Sequence, residues 1–244
     1  MKSSWRYLTP FVITGMVAAS VYGAYLFAPK GFEECCEYLG LLAPEGVSEV
    51  PGVEHAAIEQ ARDDGGLPDS VPGLRIGDKP EPITLPDLHG VPVTIDFGKP
   101  TAVVWVSSYC PTSKIYEERL NKLAADFPGV QWFAINSSAM EGVPELIRHF
   151  EDGDANRLKI RVLKDEGNAI ADRFGARVTT ETYIFTGGEL RYRGAIDDAR
   201  NPQSVEVEYL RKVLSSVLAG RNPPWRYQPP KGCCPIDKLK PAKQ

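Results

Sequence analysis

The residues best suited to chemistry lie in the stretch VVWVSSYCPTSKIY, which runs from Val103 to Tyr116. An apolar run ends there in a short polar turn, and Cys110-Pro111 follows just before a helix-like pattern. A cysteine at the start of a helix meets unpaired backbone N–H groups and the positive end of the helix dipole, which favour an anion. We therefore expect Cys110 to have a pKa below the usual ~8.5 and to react as a thiolate. The alternative is a buried structural cysteine packed behind the sheet.

The place of the second cysteine in a C-x-x-C motif is taken by Ser113, whose hydroxyl is able to hydrogen-bond the sulfur. A second thiol must then come from elsewhere in the chain. Cys233 and Cys234 stand in a proline-containing tail that is long enough to reach back to the carboxyl edge of a sheet. Either of them could resolve a sulfenic acid at Cys110 by forming a disulfide with it.

Cys35 and Cys36 form a second adjacent pair and are the other candidates for a resolving or disulfide-forming thiol. The two pairs could instead bridge each other and hold the tail against the N-terminal region. They could also bind a soft metal ion through their thiolates, although adjacent cysteines match the usual zinc spacing poorly. The sequence therefore predicts no cofactor and no specific metal site, and the disulfide connectivity stays open.

The elements that must position Cys110 follow from hydrophobic periodicity. The run TAVVWV, residues 101–106, predicts a strand covered on both faces, and an apolar stripe of helical spacing follows the cysteine. Gly187-Gly188 predicts a hairpin turn between two later strands. The full order is β-α-β-α-β-α-β-β-α, which predicts an α/β fold with a central mixed sheet flanked by helices. Reactive groups in such a fold lie past the carboxyl ends of the strands.

The N-terminal region carries a topological signal. Residues 8–28 contain no charged residue and reach roughly 30 Å as a helix, which is enough to cross a bilayer core. Lys2 and Arg6 precede this stretch and acidic residues follow it, so we expect a single-pass inner-membrane protein whose C-terminal domain is periplasmic or outside the cell. A cleaved signal peptide is the alternative, although the apolar stretch is long for one.

Composition and linkers complete the predicted organisation of the 244 residues. The net charge of −4 and the lack of a basic stripe argue against nucleic-acid binding. We predict a membrane anchor or signal peptide over 1–30, an extracytoplasmic stalk over 31–73, a folded domain over 74–220 and a proline-rich Cys-Cys tail over 221–244.

The segment from 74 to 220 resembles the thioredoxin-like superfamily, and within it the redoxin branch that includes the alkyl hydroperoxide reductase/thiol-specific antioxidant, or peroxiredoxin, proteins. The resemblance rests on IGDKPEPITLPDLHG, VWVSSYCPTSKIYEERLNKL, FAIN, VLKDEGNAIADRFGARVTTETYIF and RYRGAIDD. It implies a thioredoxin-like fold and a redox-active cysteine at Cys110. Ser107 and Pro111 match the hydroxyl residue and the proline that flank a peroxiredoxin's reactive cysteine, whereas Val103 replaces the upstream proline of that motif.

A second departure concerns the loop that faces the active site. Thioredoxin-like proteins usually carry a cis-proline there, and Thr180 takes its place in this sequence. A cis bond before a residue other than proline costs several kcal/mol, so we expect a trans bond at Thr180. Arg191, Arg193, Asp197 and Asp198 follow in the next segment, where we expect a solvated strand edge and turn. Glu117 is expected on the exposed side of the first helix.

Two functional hypotheses follow. The first is a membrane-anchored extracytoplasmic thiol oxidoreductase that acts on a peroxide or a protein disulfide through Cys110, with Ser113, Ser107 and Thr180 around the sulfur and an unidentified thiol as reductant. The second is a non-catalytic thioredoxin-like module that binds a partner protein or a soft metal ion through the paired cysteines. Loss of the C-x-x-C motif and of the cis-proline motivates the second hypothesis.

Overall fold

The structure is a computed structural model, and it describes residues 67–153, 157–232 and 234–236. Within these residues eight strands and four α-helices follow one another in an order that confirms the predicted alternation. The structure adds a pair of strands at the start and a short strand at the end. The strands are β1 Ile83–Pro86, β2 Pro92–Ile95, β3 Thr101–Trp105, β4 Gln131–Asn136, β5 Arg161–Lys164, β6 Thr182–Thr186, β7 Glu189–Gly194 and β8 Tyr227–Gln228. The helices are α1 Pro111–Asp126, α2 Val143–Phe150, α3 Ala169–Phe174 and α4 Tyr209–Leu218.

Six strands form one mixed sheet in the order β5-β4-β3-β6-β7-β8. Strands β3, β4 and β5 run parallel, whereas β6 is antiparallel to both β3 and β7. The carboxyl ends of β3, β4 and β5 therefore lie at the same edge as the start of β6. Four loops meet at this edge: 106–110, 137–142, 165–168 and 177–181.

Strand β3 shows why the sheet is buried on both faces. Ala102 and Val104 point to one hydrophobic cluster, which contains the apolar faces of α1, α2 and α4. Val103 and Trp105 point to the other cluster, which contains α3 and the β1-β2 hairpin. Side chains alternate along a strand, so a strand covered on both faces must be apolar throughout. The predicted run of TAVVWV is thus confirmed as a central strand.

The hairpin between β6 and β7 is also confirmed. Gly187 and Gly188 have φ values of 62° and 82°, which is the left-handed backbone that both central residues of a two-residue type I′ turn require. The turn fixes the pairing of the two strands and so determines where the loop 177–181 enters the sheet.

The expectation that Glu117 is exposed is wrong. Its side chain is buried on α1, and one carboxylate oxygen lies 2.6 Å from Nε2 of His149 on α2. The other oxygen accepts a hydrogen bond of 3.0 Å from the backbone N–H of Leu158. The buried face of α1 is therefore wider than its apolar stripe, because the pair of Glu117 and His149 extends the contact between α1 and α2.

The predicted membrane span at 8–28 lies outside the described residues, as do Cys35, Cys36 and Cys233. Over 67–153, 157–232 and 234–236, none of the helices has the length and apolar character that crossing a bilayer requires. The predicted domain boundaries stay predictions. Residues of the predicted stalk that are described do contact the domain, since the carbonyl of Pro72 accepts a hydrogen bond from Arg193.

Candidate active site

Cys110 lies where the sequence predicts it, at the N-cap of α1 and directly past the carboxyl end of β3. Pro111 occupies the first helical position, where its missing N–H costs nothing, and the carbonyl of Cys110 accepts the N–H of Lys114 at 3.2 Å. The side chain is a thiol and is fully buried. The residue thus begins the helix, but its side chain makes no capping hydrogen bond and its sulfur is covered from solvent in this structure.

The hydroxyl of Thr179 lies 3.1 Å from the Cys110 sulfur. Sequence analysis singled out the neighbouring Thr180 and did not identify Thr179. Thr180 is buried and has φ +65°, and its peptide bond is trans, because no cis bond occurs among the described residues. Thr180 donates its backbone N–H to the carbonyl of Trp105 at 2.7 Å, and Trp105 donates to Glu181 at 3.1 Å. These two bonds hold the loop 177–181 against the end of β3 and so place Thr179 beside the sulfur.

A buried ion pair fixes the far side of this loop. The guanidinium of Arg193 on β7 donates from Nε to Glu181 at 2.6 Å, and its other nitrogens donate to the carbonyls of Pro72 and Gly175. Glu181 also accepts from the hydroxyl of Tyr183 and the N–H of Arg177, each at 3.2 Å. Both charged side chains are almost completely buried. The expectation that Arg193 lies on a solvated strand edge is therefore wrong.

Asp197 is buried for a similar reason, so the solvated turn expected there is also wrong. Its carboxylate accepts a hydrogen bond of 2.7 Å from the hydroxyl of Tyr116 on α1 and pairs with Arg119. Burial raises the pKa of the Tyr116 hydroxyl, and the bond to Asp197 adds to this effect. Arg193 and Asp197 thus hold elements together, and Asp198 and Arg191 remain partly exposed.

The turn before Cys110 is held by its own hydroxyls. Ser113 is buried on the first turn of α1, and its Oγ accepts a hydrogen bond of 3.2 Å from the backbone N–H of Ser107. Ser107 in turn accepts from the N–H of Tyr109 at 3.2 Å. The two serines predicted as site residues therefore lie next to Cys110 and order the chain that leads into it.

Glu141, in the loop after β4, anchors the same turn from the other side, and sequence analysis missed it. One carboxylate oxygen accepts both the backbone N–H and the hydroxyl of Ser108, at 2.5 and 2.6 Å. The other oxygen accepts from the side-chain amide of Asn136 at 2.8 Å, and that amide also donates to the carbonyl of Val106 at 3.1 Å. All of these groups are buried. The carboxylate therefore fixes the backbone two residues before Cys110.

Lys164, at the end of β5, supplies the positive charge of this network. Its ammonium donates to Asn136 Oδ1 at 2.9 Å and to the carbonyls of Ser138 and Glu141 at 2.6 and 2.9 Å. Burial lowers the pKa of Lys164, and the nearby carboxylates of Glu166, Glu141 and Asp165 oppose that shift. A single charge-compensated cluster thus joins the carboxyl ends of β3, β4 and β5.

The C-terminal tail also reaches the site. The N–H of Thr179 donates to the carbonyl of Cys234 at 3.0 Å, and Ile236 donates to the carbonyl of Arg177 at 2.8 Å. Val178 and Pro235 form an antiparallel bridge between these two bonds. Cys234 is disulfide-bonded in this structure. The tail therefore lies as a short extended segment along the loop whose hydroxyl contacts Cys110.

The remaining candidate features lie elsewhere. A cavity of about 470 Å³ is lined by residues of the β1-β2 turn, the end of α2 and the region of β5, and it includes none of the residues around Cys110. Within the described ranges, no group of three or more histidine, cysteine or acidic side chains is arranged to hold a metal ion. The cysteine pairs considered as thiolate ligands lie mostly outside those ranges, so a metal bound by them stays a hypothesis.

Comparison with known proteins supports the fold. The sequence matches no protein-family model and no curated protein. A hypothetical protein from Sinorhizobium meliloti aligns over 69% of this chain and 97% of its own, with a TM-score of 0.61 and 28% identity. An uncharacterised protein from Geobacillus kaustophilus aligns over 69% of this chain and 94% of its own, with a TM-score of 0.60 and 28% identity.

The order of the strands in the mixed sheet and the helices between them agree with the thioredoxin-like fold that the sequence resemblance predicts. Solved redox proteins also align with the chain, at lower structural similarity. One of them is a secreted Mycobacterium tuberculosis disulfide oxidoreductase homologous to Escherichia coli DsbE, with a TM-score of 0.43 and 18% identity over 55% of this chain and 94% of that one. Reactivity at Cys110 is therefore argued from the site itself.

Proposed function

We propose that this protein is a membrane-anchored extracytoplasmic thiol oxidoreductase of the redoxin type that acts on a peroxide or a protein disulfide through Cys110. The observation that carries the proposal is the position of the Cys110 sulfur, which lies at a helix N-terminus and 3.1 Å from the hydroxyl of Thr179. A helix N-terminus and a hydroxyl donor both stabilise a thiolate over a thiol. The thiolate is the nucleophilic form of cysteine in redox chemistry.

With a peroxide, the Cys110 thiolate attacks one oxygen and breaks the O–O bond. The products are a sulfenic acid at Cys110 and an alcohol or water, once the leaving oxygen takes a proton. Once the disulfide of Cys234 has been reduced, a tail thiol, Cys233 or Cys234, attacks the Cys110 sulfur, and the hydroxyl leaves as water while a new disulfide forms. Two electrons from an external thiol reductant return both cysteines to thiols.

With a protein disulfide, the Cys110 thiolate forms a mixed disulfide and releases one substrate thiolate. The tail thiol then displaces the second substrate sulfur, which leaves as a thiolate, and the Cys110–tail disulfide remains. The contact between Thr179 and the backbone of Cys234 supports a resolving role for the tail in both reactions, because it brings the tail to the loop that lies against Cys110. Ser107, Ser113 and Glu141 orient the turn that carries the nucleophile, and Thr180 holds the loop of Thr179 in place.

A direct experiment uses the reduced full-length chain with one equivalent of hydrogen peroxide, or with a small disulfide in a parallel sample. Consumption of the oxidant and the intact mass are followed for wild type and Cys110→Ser. We expect rapid oxidant loss and a sulfenic acid or disulfide at Cys110 in the wild type, and only the slower oxidation of the other thiols in Cys110→Ser. Equal oxidant consumption by both proteins, with no such product in the wild type, would falsify the enzyme function.

The burial of Cys110 favours a second function, a non-catalytic module that binds a partner protein at the same edge of the sheet. In that case the sulfur packs against Thr179 without reacting, and the partner contacts exposed apolar side chains on the flanking loops, such as Tyr109 and Met140. The oxidation experiment separates the two functions.

The proposed location has its own test. A reporter enzyme that is active only outside the cytoplasm is fused to the C-terminus, and we expect the fusion to be active.

A further inference from the structure

The C-terminal strap, which we define as residues 231, 232 and 234–236, is seated by several kinds of contact. Its backbone pairs with the loop 177–179 through the two hydrogen bonds and the bridge described above. The carbonyl of Lys231 accepts a hydrogen bond of 2.8 Å from Nε of Arg200. Ile236 is buried in the hydrophobic cluster that contains Trp105 and Phe174. The strap is therefore a docked segment with its own side-chain anchor.

Gly232 shows how closely the strap approaches the loop. A Cβ atom at this position would lie 1.8 Å from the carbonyl oxygen of Thr179, which is far inside van der Waals contact. Any residue other than glycine would push the strap away from the loop or force the loop to move. The seated position thus depends on this one glycine, next to the residue whose hydroxyl touches the Cys110 sulfur.

The kind of contact indicates what the strap replaces. An extended segment that pairs antiparallel with an open backbone edge is the general mode by which proteins bind extended peptides. The edge of the loop 177–179 is occupied here by the chain's own residues, and the sulfur beside it is fully buried. The backbone N–H of Thr179 and the carbonyl of Arg177 become available to an extended segment of a protein substrate only when the strap leaves them.

We propose that the strap is a displaceable internal cover that competes with extended polypeptide segments for the edge of the loop 177–179 and so controls access to Cys110. This regulation rests on the oxidoreductase function proposed above, because it concerns the same sulfur. The covered state is the one with the strap seated, and the reactive state is the one in which the strap has left the loop. Opening breaks only the contacts of the strap itself, which are its backbone hydrogen bonds, the bond from Arg200 and the burial of Ile236.

The test measures access to Cys110 by chemistry that needs no enzymatic turnover. The full-length chain is reduced, freed of reductant and treated with iodoacetamide, and the labelled fraction of the Cys110 peptide is followed by mass spectrometry. Gly232→Ala places a methyl group against Thr179, and Gly129→Ala is the matched control because a Cβ there meets nothing within 4 Å. Ile236→Asp removes the apolar anchor, and Leu218→Asp is its control at an exposed apolar position.

We expect Cys110 to be labelled roughly tenfold faster in Gly232→Ala and Ile236→Asp than in the wild type. A change of this size corresponds to losing the burial of one isoleucine from the docked state. Both controls should label at the wild-type rate. A synthetic peptide of residues 229–238, with serine at positions 233 and 234, should slow the labelling of Gly232→Ala. Slowing by the peptide distinguishes a vacated edge from a generally loosened core.

Wild-type labelling rates in both strap variants would overturn the proposal, as would a peptide that leaves their rates unchanged. Equal acceleration in Gly232→Ala and Gly129→Ala would also overturn it, because the effect would then not belong to the strap. These outcomes are separate from failure of the oxidoreductase function. That function fails if Cys110 of the wild type does not react with peroxide or disulfide, whatever the labelling rates of the strap variants.

Discussion

The two segments that meet at Cys110 are held by different kinds of contact. The turn 106–110 is fixed by buried side chains. Glu141 accepts two hydrogen bonds from Ser108 and one from Asn136, and the positive charge of Lys164 lies near its carboxylate. The strap is held by two backbone hydrogen bonds to the loop 177–179, one bond from Arg200, the burial of Ile236 and the disulfide of Cys234, which reduction removes. Breaking the first set leaves buried charges without partners, whereas breaking the second returns backbone groups to water.

This difference indicates that one segment positions the Cys110 sulfur and the other controls access to it. A nucleophile must be held in a defined position, so its own turn is built from contacts that are costly to lose. Access must change during a reaction with a large substrate, so the covering segment is built from contacts that water can replace. The loop 177–181 belongs to both sides, because Glu181 ties it to Arg193 and Thr179 carries the strap.

The largest effect is expected at the Arg193–Glu181 pair, which anchors the shared loop. Arg193→Leu leaves the buried carboxylate of Glu181 without its partner, and we expect the free energy of unfolding to fall by about 3–5 kcal/mol. Urea unfolding followed by circular dichroism measures this loss. Arg191→Leu on the same strand is the matched control, since Arg191 is partly exposed and should cost no more than about 0.5 kcal/mol. Equal losses in the two variants would contradict the structural role of the pair.

The second-largest loss of stability is expected at Glu141, which holds the turn 106–110. Glu141→Gln removes the charge and places an amide N–H₂ where one of the donors of Ser108 or Asn136 needs an acceptor. Hydrogen bonds to a charged group contribute about 1.5–3 kcal/mol, so we expect a loss of stability of that order. The reaction of Cys110 with iodoacetamide should also change its pH profile.

Glu118→Gln, an exposed residue on α1, serves as the control for Glu141→Gln. If the two variants share the same stability and the same pH profile of labelling, the turn 106–110 is not held by Glu141.

We expect the stability of the protein to depend on pH through Tyr227 on β8, the strand that precedes the strap. Burial raises the pKa of Tyr227 on β8 to about 12. A group whose pKa is raised in the folded state contributes stability that is complete below its unfolded pKa, about 10, and is lost as the pH rises toward 12. We expect Tyr227→Phe to lose about 1 kcal/mol less than wild type between pH 10 and 11.

Urea unfolding of both proteins at pH 8, 10 and 11 measures this difference. The other buried tyrosines with raised pKa values are common to the two proteins and cancel. Parallel loss of stability in the two proteins would show that Tyr227 ionises freely and that β8 does not protect it.

The smallest effect is expected for the reaction rate at Thr179, which contacts both the Cys110 sulfur and the strap. Thr179→Val keeps the shape of the side chain and removes the hydroxyl that lies 3.1 Å from the sulfur. One hydrogen bond contributes about 1 kcal/mol, so the rate of Cys110 with peroxide should fall roughly fivefold. Thr84→Val on the exposed face of β1 is the control and should react as wild type. A rate for Thr179→Val equal to that of Thr84→Val would remove Thr179 from the site.

Much of the fold could be predicted from the sequence, because its signals are local. The apolar run of β3, the turn at Gly187-Gly188 and the Cys-Pro helix start are each encoded within a few neighbouring residues. These patterns also place Cys110 correctly at the carboxyl edge of the sheet.

The rest of the site depends on contacts between distant segments, which no local pattern encodes. Glu141 lies in a loop without periodicity, and its role appears only when that loop meets Ser108. Arg193 looks like a solvated residue in its own segment, because the partner that allows its burial, Glu181, belongs to another strand's entry loop. Thr179 could have been suspected from its position beside Thr180, but the loop gives no local reason to choose between the two hydroxyls.

The most direct test of redox chemistry at Cys110 is disulfide mapping of the full-length chain after reduction and reaction with one equivalent of peroxide. Digestion without reductant and mass spectrometry then identify the partner of each cysteine. The account predicts a new peptide pair that joins Cys110 to Cys233 or Cys234, formed at the rate of peroxide loss. A Cys110 that remains a thiol while peroxide is consumed, or that is never oxidised at all, would contradict it.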